Sequence, residues 1–222
     1  MERPQESPKE VFDNMADGWY NFRHYTIFPD ELAELSERWG KGKLLNIGCG
    51  HGSDFLPFKD GFELFGVDIS DAFLENCKKF QEKHGFTAEL KQGDMRNIPY
   101  PDAYFDDLIA IACLHHLQGN EEQLKALNEF KRILKPGGEL FLTVWNKWQK
   151  RFRWGKKEVY VPWNGKDGVS ERYYYLFTYT EIRKLVQKAG FEVISIKPES
   201  RYNSNIKQFS RNICVLCRKP DN

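Results

Sequence analysis

The chain has 222 residues, 41% of them hydrophobic and 29% charged, with a formal net charge of only +1. That length suits one substantial core rather than two, so a single domain over residues 1–222 is expected. The near-neutral balance excludes a protein-wide basic field for nucleic acid, so such a partner would need a local patch. No apolar run approaches the roughly 20 residues that span a bilayer, and the polar start MERPQESPKE has no apolar signal core. A cytoplasmic protein without a membrane partner is therefore expected.

In chain order, residues 1–10 read as disordered or loosely attached. Val11–Tyr25 carries Phe12, Met15, Trp19 and Phe22 at helix-like spacing and reads as a helical lid. Pro29-Asp30 opens a second helix, Glu31–Trp39, that ends at Gly40, so that residues 1–40 form a helical N-terminal part. Short apolar runs then alternate with helical patterns. The strands are Leu44–Cys49, Glu63–Ile69, Ala88–Gly93, Phe105–Cys113, Glu139–Trp145, Phe191–Ile196 and Asn212–Arg218. The helices are Asp71–His84, Glu121–Leu134 and Thr180–Ala189, and Lys135-Pro136-Gly137-Gly138 turns into the fifth strand. Strands and crossover-sized connections in alternation make an α/β fold with a parallel sheet covered on both faces. The polar link between the last two strands is too irregular for a further crossover helix, so an antiparallel pair is expected there.

Lys147 to Tyr179 breaks the pattern and shows no clear periodicity. It holds ten aromatic residues, and eight basic residues against three acidic ones, a local excess of five positive charges. A connection of that length within a domain is usually functional, and its aromatic content speaks against disorder. Among the five cysteines, Cys214 and Cys217 lie three apart in a strand pattern, which sends them to opposite faces. They read as buried thiols, and no metal site is expected.

The chemistry concentrates at strand ends. Gly48, Gly50 and Gly52 follow the apolar run Leu44–Ile47, where glycines let the chain turn sharply and a ligand approach the backbone. Such a loop alone could serve NAD, a flavin or a plain turn. Asp68 closes the second strand, where a carboxylate can bind both ribose hydroxyls of an adenosine. Gly93-Asp94-Met95 closes the third, where Asp94 can accept from an adenine amino group while Met95 packs on the ring. Ile111 to His116 leaves the fourth strand toward the same crevice. The loop lacks the third glycine at the spacing a dinucleotide fold uses.

Together these motifs resemble the class I, seven-stranded S-adenosylmethionine-dependent methyltransferases over roughly residues 40 to 218. The resemblance implies a Rossmann-like three-layer sandwich with a seven-stranded, mostly parallel sheet and an antiparallel last strand. It implies S-adenosyl-L-methionine as cofactor and S-adenosyl-L-homocysteine as product. The expected cofactor contacts are Asn46, Gly48, Cys49, Gly50, Asp68, Ile69, Gly93, Asp94, Met95 and Ile111. One departure stands out, because the family usually has Asp or Glu where Asn46 stands, and Asn brings no charge to the cofactor's cationic end.

Val161-Pro162-Trp163, Arg172-Tyr173-Tyr174-Tyr175-Leu176-Phe177, Leu114-His115-His116, Asn212-Ile213-Cys214-Val215 and the Arg of Phe22-Arg23-His24-Tyr25 look like the tRNA wobble-uridine carboxymethyl methyltransferases. That likeness implies methylation of the carboxylate of 5-carboxymethyluridine to a methyl ester. A carboxylate, ionised at pH 7, needs no general base to attack a sulfonium methyl. It needs alignment and a clamp, for which Arg23, His116 and Arg172 are the candidates, with Arg23 equally placed to bind the cofactor's methionine carboxylate. Trp145, Trp163 and Tyr173 are the candidates for stacking on an unpaired base, with residues 147–179 as the substrate-recognition segment. The family also implies a small zinc-containing activator subunit at the edge strand Ala88–Gly93. The alternatives are a class I methyltransferase acting on a small metabolite, a catalytically silent cofactor- or RNA-binding module and, as the most distant, an NAD enzyme.

Overall fold

The computed structural model describes residues 6–165, 167–204 and 206–221. Its strands are β1 (Gly42–Ile47), β2 (Phe62–Asp68), β3 (Ala88–Gln92), β4 (Phe105–Ile111), β5 (Leu134–Trp145), β6 (Glu158–Gly165), β7 (Gly168–Tyr175), β8 (Glu192–Pro198) and β9 (Asn212–Arg218). The helices are α1 (Pro8–Phe22), α2 (Pro29–Trp39), α3 (Asp71–His84), α4 (Gly119–Ile133) and α5 (Tyr179–Lys188). Seven strands form one sheet in the order β3-β2-β1-β4-β5-β9-β8. Only β9 runs antiparallel to its neighbours. This is the expected α/β sandwich, and the order reverses between β1 and β4, where open sheets of this kind leave a crevice beyond the strands' carboxyl ends.

The four last residues of β1, Leu44 to Ile47, are buried, as a strand covered on both faces requires. On one side Ala126, Leu127, Phe130 and Ile133 of α4 join Ile182 and Val186 of α5 against the sheet. On the other, Leu32 and Leu35 of α2 meet Leu74, Cys77 and Phe80 of α3. Cys217 packs into the first layer and Cys214 into the second, so the two thiols do point apart. All five cysteines are buried and unpaired.

Three expectations need correction. Helix α1 begins at Pro8, within the stretch expected to be loose, because Ser7 and Glu10 form a capping box with proline in the first turn. Residues 1–5 of that stretch lie outside the described residues. Strand β5 starts at Leu134 rather than Glu139, since Lys135 to Gly138 continue it past a register shift opposite Phe105 and Asp107. Within residues 147–179, β6 and β7 pair in continuous register from Glu158–Tyr175 to Gly165–Gly168 as a two-stranded hairpin. In β7, Ser170, Arg172 and Tyr174 are buried while Val169 and Glu171 are exposed. A period of two was present, but its inward set is half polar and hides among aromatics.

Helix α1 is clamped between this hairpin and α3. The buried Asn14 side chain donates to Ser170 Oγ at 2.7 Å and accepts from the Asp167 amide at 2.8 Å. Its neighbour Asp13 accepts from Ser70 Oγ at 2.6 Å, and Asp17, about one turn on, accepts from the Asn76 side-chain amide at 3.1 Å. Adjoining sides of one helix thus tie the hairpin and α3 together.

Candidate active site

The glycine loop turns because Gly48 and Gly50 take left-handed backbone, φ +67° and +53°. The turn is fixed by the Gly48 and Cys49 amides, which both donate to the Val67 carbonyl at 2.7 and 3.1 Å. A Cβ at Gly48 would lie 2.7 Å from Cys113 Cβ, so this glycine permits close packing of the loop on the strand-four exit. At Gly50 the nearest neighbour of such a Cβ would be Phe73 at 3.8 Å, and the bare backbone faces the open crevice.

Asp68, at the end of β2, accepts from the Gly50 amide at 2.8 Å and the Ser70 amide at 2.9 Å. Burial pushes its carboxyl up to about 6 against the pull of those amides. Each oxygen retains a lone pair, as an acceptor for two ribose hydroxyls needs. Gly93 follows, its amide bonded to the Asp68 carbonyl at 3.0 Å. Asp94 accepts from the Arg96 amide at 2.8 Å and from Arg96 Nε at 2.9 Å, and the same guanidinium reaches Glu122. Arg96 therefore holds the Asp94 carboxyl below its usual range. Past β4, Ala112 has φ +54°, a strained value for a side-chain-bearing residue, with its amide bonded to Thr143 Oγ1 at 3.0 Å. Ile69, Met95 and Ile111 line the same crevice with these groups.

The rest of the crevice is built from the strand-four exit, β5, β7 and α1. The Trp145 and Tyr174 rings stack at 4.1 Å, and His115 and His116 pack on Tyr174. His115 Nδ1 accepts from the Trp145 amide at 3.2 Å. His116 Nδ1 lies 2.8 Å from the Tyr173 carbonyl, which can only accept, so Nδ1 carries the proton. Burial lowers His116 to about 4, aided by nearby Arg172. The neutral ring then has no N–H left to offer an anion. The Arg172 guanidinium is buried among Trp163, Tyr174 and Trp19 at 5.3, 5.5 and 5.8 Å, and its Nε has no partner. Arg23 lies 4.8 Å from the Trp19 ring, and Arg211 5.8 Å from Trp145. All three line the crevice, and among the described residues none pairs with a carboxylate.

Arg23, Gly48, Cys49, Gly50, Asp68, Ile69, Gly93, Asp94, Met95, Ile111, His116, Trp145 and Arg172 share this one crevice. Three other expected site residues stand off it. Asn46 is fully buried behind the loop, and neither polar atom of its side chain has a partner. Trp163 packs against Trp19 and Phe22 of α1 as part of the helix seat. Tyr173 lies on the other face of β7, against Tyr160, and contributes its carbonyl instead. Since Arg172 points inward, a period of two selects Tyr174, not Tyr173, as its crevice neighbour. Arg211 and Asp54 also line the crevice and had no sequence signal beyond charge. Of the eight basic residues counted in 147–179, Lys147 is buried and bonded to backbone carbonyls, Lys157 pairs with Glu181, and Lys166 lies outside the described residues.

Among the described residues there is no cluster of His, Cys, Asp or Glu fit for a metal, and no helix long and apolar enough to cross a membrane. The donor set suits an adenosine with a charged tail: carboxylates at two adjacent strand ends, a bare glycine backbone at the end of the next strand and apolar Ile69, Met95 and Ile111 around.

A family model described as a methyltransferase domain matches residues 45–142. A mouse protein named probable tRNA methyltransferase 9B is 34% identical over 154 residues, 69% of this chain and 33% of that protein. A Schizosaccharomyces pombe protein named tRNA (carboxymethyluridine(34)-5-O)-methyltransferase is 28% identical over 175 residues, covering 68% of this chain and 73% of its own. The chain spans about a third or less of the length of several curated relatives it matches. In fold it is similar to a Burkholderia thailandensis 1,6-didemethyltoxoflavin-N1-methyltransferase solved with S-adenosylhomocysteine, at a TM-score of 0.68 and 18% identity over 100% of this chain and 94% of that one. With this loop and this strand order, residues 45–142 match a methyltransferase domain, and the chain has the fold of S-adenosylmethionine-dependent methyltransferases.

Proposed function

We propose that the protein methylates a carboxylate, that of 5-carboxymethyluridine at the wobble position of tRNA, to its methyl ester. The observation that carries this reading is Arg172, a buried guanidinium without an acidic partner, facing the crevice with Arg23 and Arg211. Burying an unpaired cation is costly, and an anionic acceptor relieves that cost. The names of the mouse and fission-yeast relatives support RNA as the carrier.

When bound, the cofactor supplies an electrophilic methyl on a sulfonium. The residues of this chain need only hold an ionised carboxylate oxygen in line and keep water away. Arg172 and Arg211 hold that carboxylate without taking a proton from it, and Trp145 and Tyr174 wall the base. His116, neutral with its proton on Nδ1, shapes the wall through β7 and moves no proton. Exposed Lys150, Arg151 and Lys156, with Trp154 beside them, offer phosphate contacts outside the crevice. Strand β3 is an edge of the sheet, and strand addition there by a small zinc-containing activator subunit fits this reading.

The test is methyl transfer from labelled cofactor to tRNA that bears or lacks the carboxymethyl group, with and without an activator subunit. Methylation confined to the carboxymethylated tRNA is expected. Transfer that ignores the carboxylate sinks the acceptor assignment, and transfer to small metabolites alone replaces it with a metabolite enzyme.

A further inference from the structure

The family places a carboxylate where this chain has Asn46, and Asn46 has no route to the ligand, since it is fully buried and off the crevice wall. The cofactor's amino-acid end is a zwitterion and needs an opposite charge for each of its two groups. Three acids line the crevice: Asp54, Asp68 and Asp94. Asp68 is tied to backbone amides at the end of β2, and Asp94 to Arg96 at the end of β3. Asp54 is different. It sits in the first turn of the short helix Ser53–Phe58, directly after the glycine loop, with Thr26 and Arg23 from the segment between α1 and α2 as its neighbours. No cation lies within ion-pair distance of Asp54 among the described residues, although Arg23 acts on it electrostatically.

We infer that Asp54 holds the α-ammonium of the cofactor's methionine half while Arg23, beside it, holds the α-carboxylate, so that the charge missing at Asn46 is supplied eight residues later. The two side chains come from different segments of the chain and both line the crevice, close enough to act on each other electrostatically. One carboxylate and one guanidinium held apart rather than paired complement an amino-acid zwitterion. The inference rests on the cofactor and not on the acceptor, so it stands if the tRNA reading fails. It also resolves the two roles open for Arg23 in favour of the cofactor, leaving Arg172 and Arg211 for the acceptor.

Calorimetry on the full chain with three ligands tests it. S-adenosylhomocysteine carries both charges, decarboxylated S-adenosylhomocysteine carries the amine alone, and methylthioadenosine carries neither. Asp54→Asn is expected to weaken the first two about tenfold or more and to leave methylthioadenosine unchanged. Arg23→Met is expected to weaken S-adenosylhomocysteine and spare the decarboxylated ligand. Equal weakening of all three ligands by Asp54→Asn, or no weakening of any, overturns the assignment of Asp54. Loss of the decarboxylated ligand in Arg23→Met as large as that of S-adenosylhomocysteine overturns the pairing.

Discussion

The Trp145 and Tyr174 rings lie 4.1 Å apart and within 16° of parallel, joining the end of β5 to the inner face of the β6–β7 hairpin. Arg172 lies 5.5 Å from Tyr174 and Arg211 5.8 Å from Trp145, so each ring of the pair positions a guanidinium. A cation over an aromatic face gains roughly 0.5–2 kcal/mol and is held in place by it. Tyr174→Leu is therefore expected to lower kcat/KM for tRNA about tenfold, while Tyr173→Leu, on the far face of β7, changes it only a few-fold. Single-turnover methyl transfer with both variants checks the contrast, and equal losses would contradict the assigned faces.

Arg172 separates function from stability. Its guanidinium is buried without a carboxylate, so removing it relieves an uncompensated charge. Arg172→Met is expected to melt no lower than the parent, yet to lose roughly 30-fold or more in kcat/KM, the cost of leaving an acceptor carboxylate unclamped. Arg172→Lys should not restore the rate, because an ammonium lacks the planar fork. Melting curves and initial rates on the same preparations decide it.

Asp68 carries a stability penalty for binding. Its folded carboxyl is raised to about 6 by burial, from 3.8. The folded state thus holds the proton more tightly than the unfolded chain, and stability falls as pH rises from about 4 to 6 and stays lower above. Asp68→Asn removes that loss, less about 1 kcal/mol for an amide left without its acceptor, for a net gain on the order of 1–2 kcal/mol at pH 8. The same variant should bind S-adenosylhomocysteine much more weakly, and the parent's affinity should decline below pH 6. Denaturant melts at pH 5 and pH 8, with calorimetry alongside, test both halves.

Glu139 behaves in the opposite sense. Burial opposes its ionisation, but Arg38 Nε and Nη2, Trp39 Nε1 and Arg218 Nη2 at 2.7, 2.7, 2.8 and 3.0 Å bring it down to about 2. Its contribution is fully present above about 4.5 and is lost as pH falls toward 2. Glu139→Gln should cost about 2–3 kcal/mol at pH 7, and the gap from the parent should close near pH 2–3. Denaturant melts across that range provide the check, and activity of the folded variant should be normal because Glu139 lies at the opposite end of the strands.

His116 adds a kinetic expectation. With its ring neutral above about 4, and with an acceptor that is already ionised, no basic group has to lose a proton. The kcat/KM profile should be flat between pH 6.5 and 8.5, and its acid limb should follow Asp68. A rise with a midpoint near 7 would mean that a general base takes part.

The layered α/β fold, the positions of β1, β2, β4 and β9, and the strand-end residues that line one crevice, Asn46 excepted, were legible in the sequence. They depend on local features: apolar runs such as Leu44–Ile47, glycines that permit a turn, and Asp68 and Asp94 at strand ends, all carried on segments whose periodicity determines where they point. The rest of the crevice lining was only partly legible. Arg172 and His116 line it as expected, yet Tyr174, Arg211 and Asp54 had not been singled out, and Trp163 and Tyr173 were assigned a crevice they do not reach. What brings Arg23, Asp54, Arg172 and Arg211 to one place is long-range: α1 clamped by Asn14 to the hairpin and by Asp13 and Asp17 to α3. The sequence by itself determined the frame and its cofactor loop. Only the tertiary structure decided which face of β7 lines the crevice and which arginines stay unpaired, because charge and aromaticity do not encode direction until packing of the hairpin selects an inside.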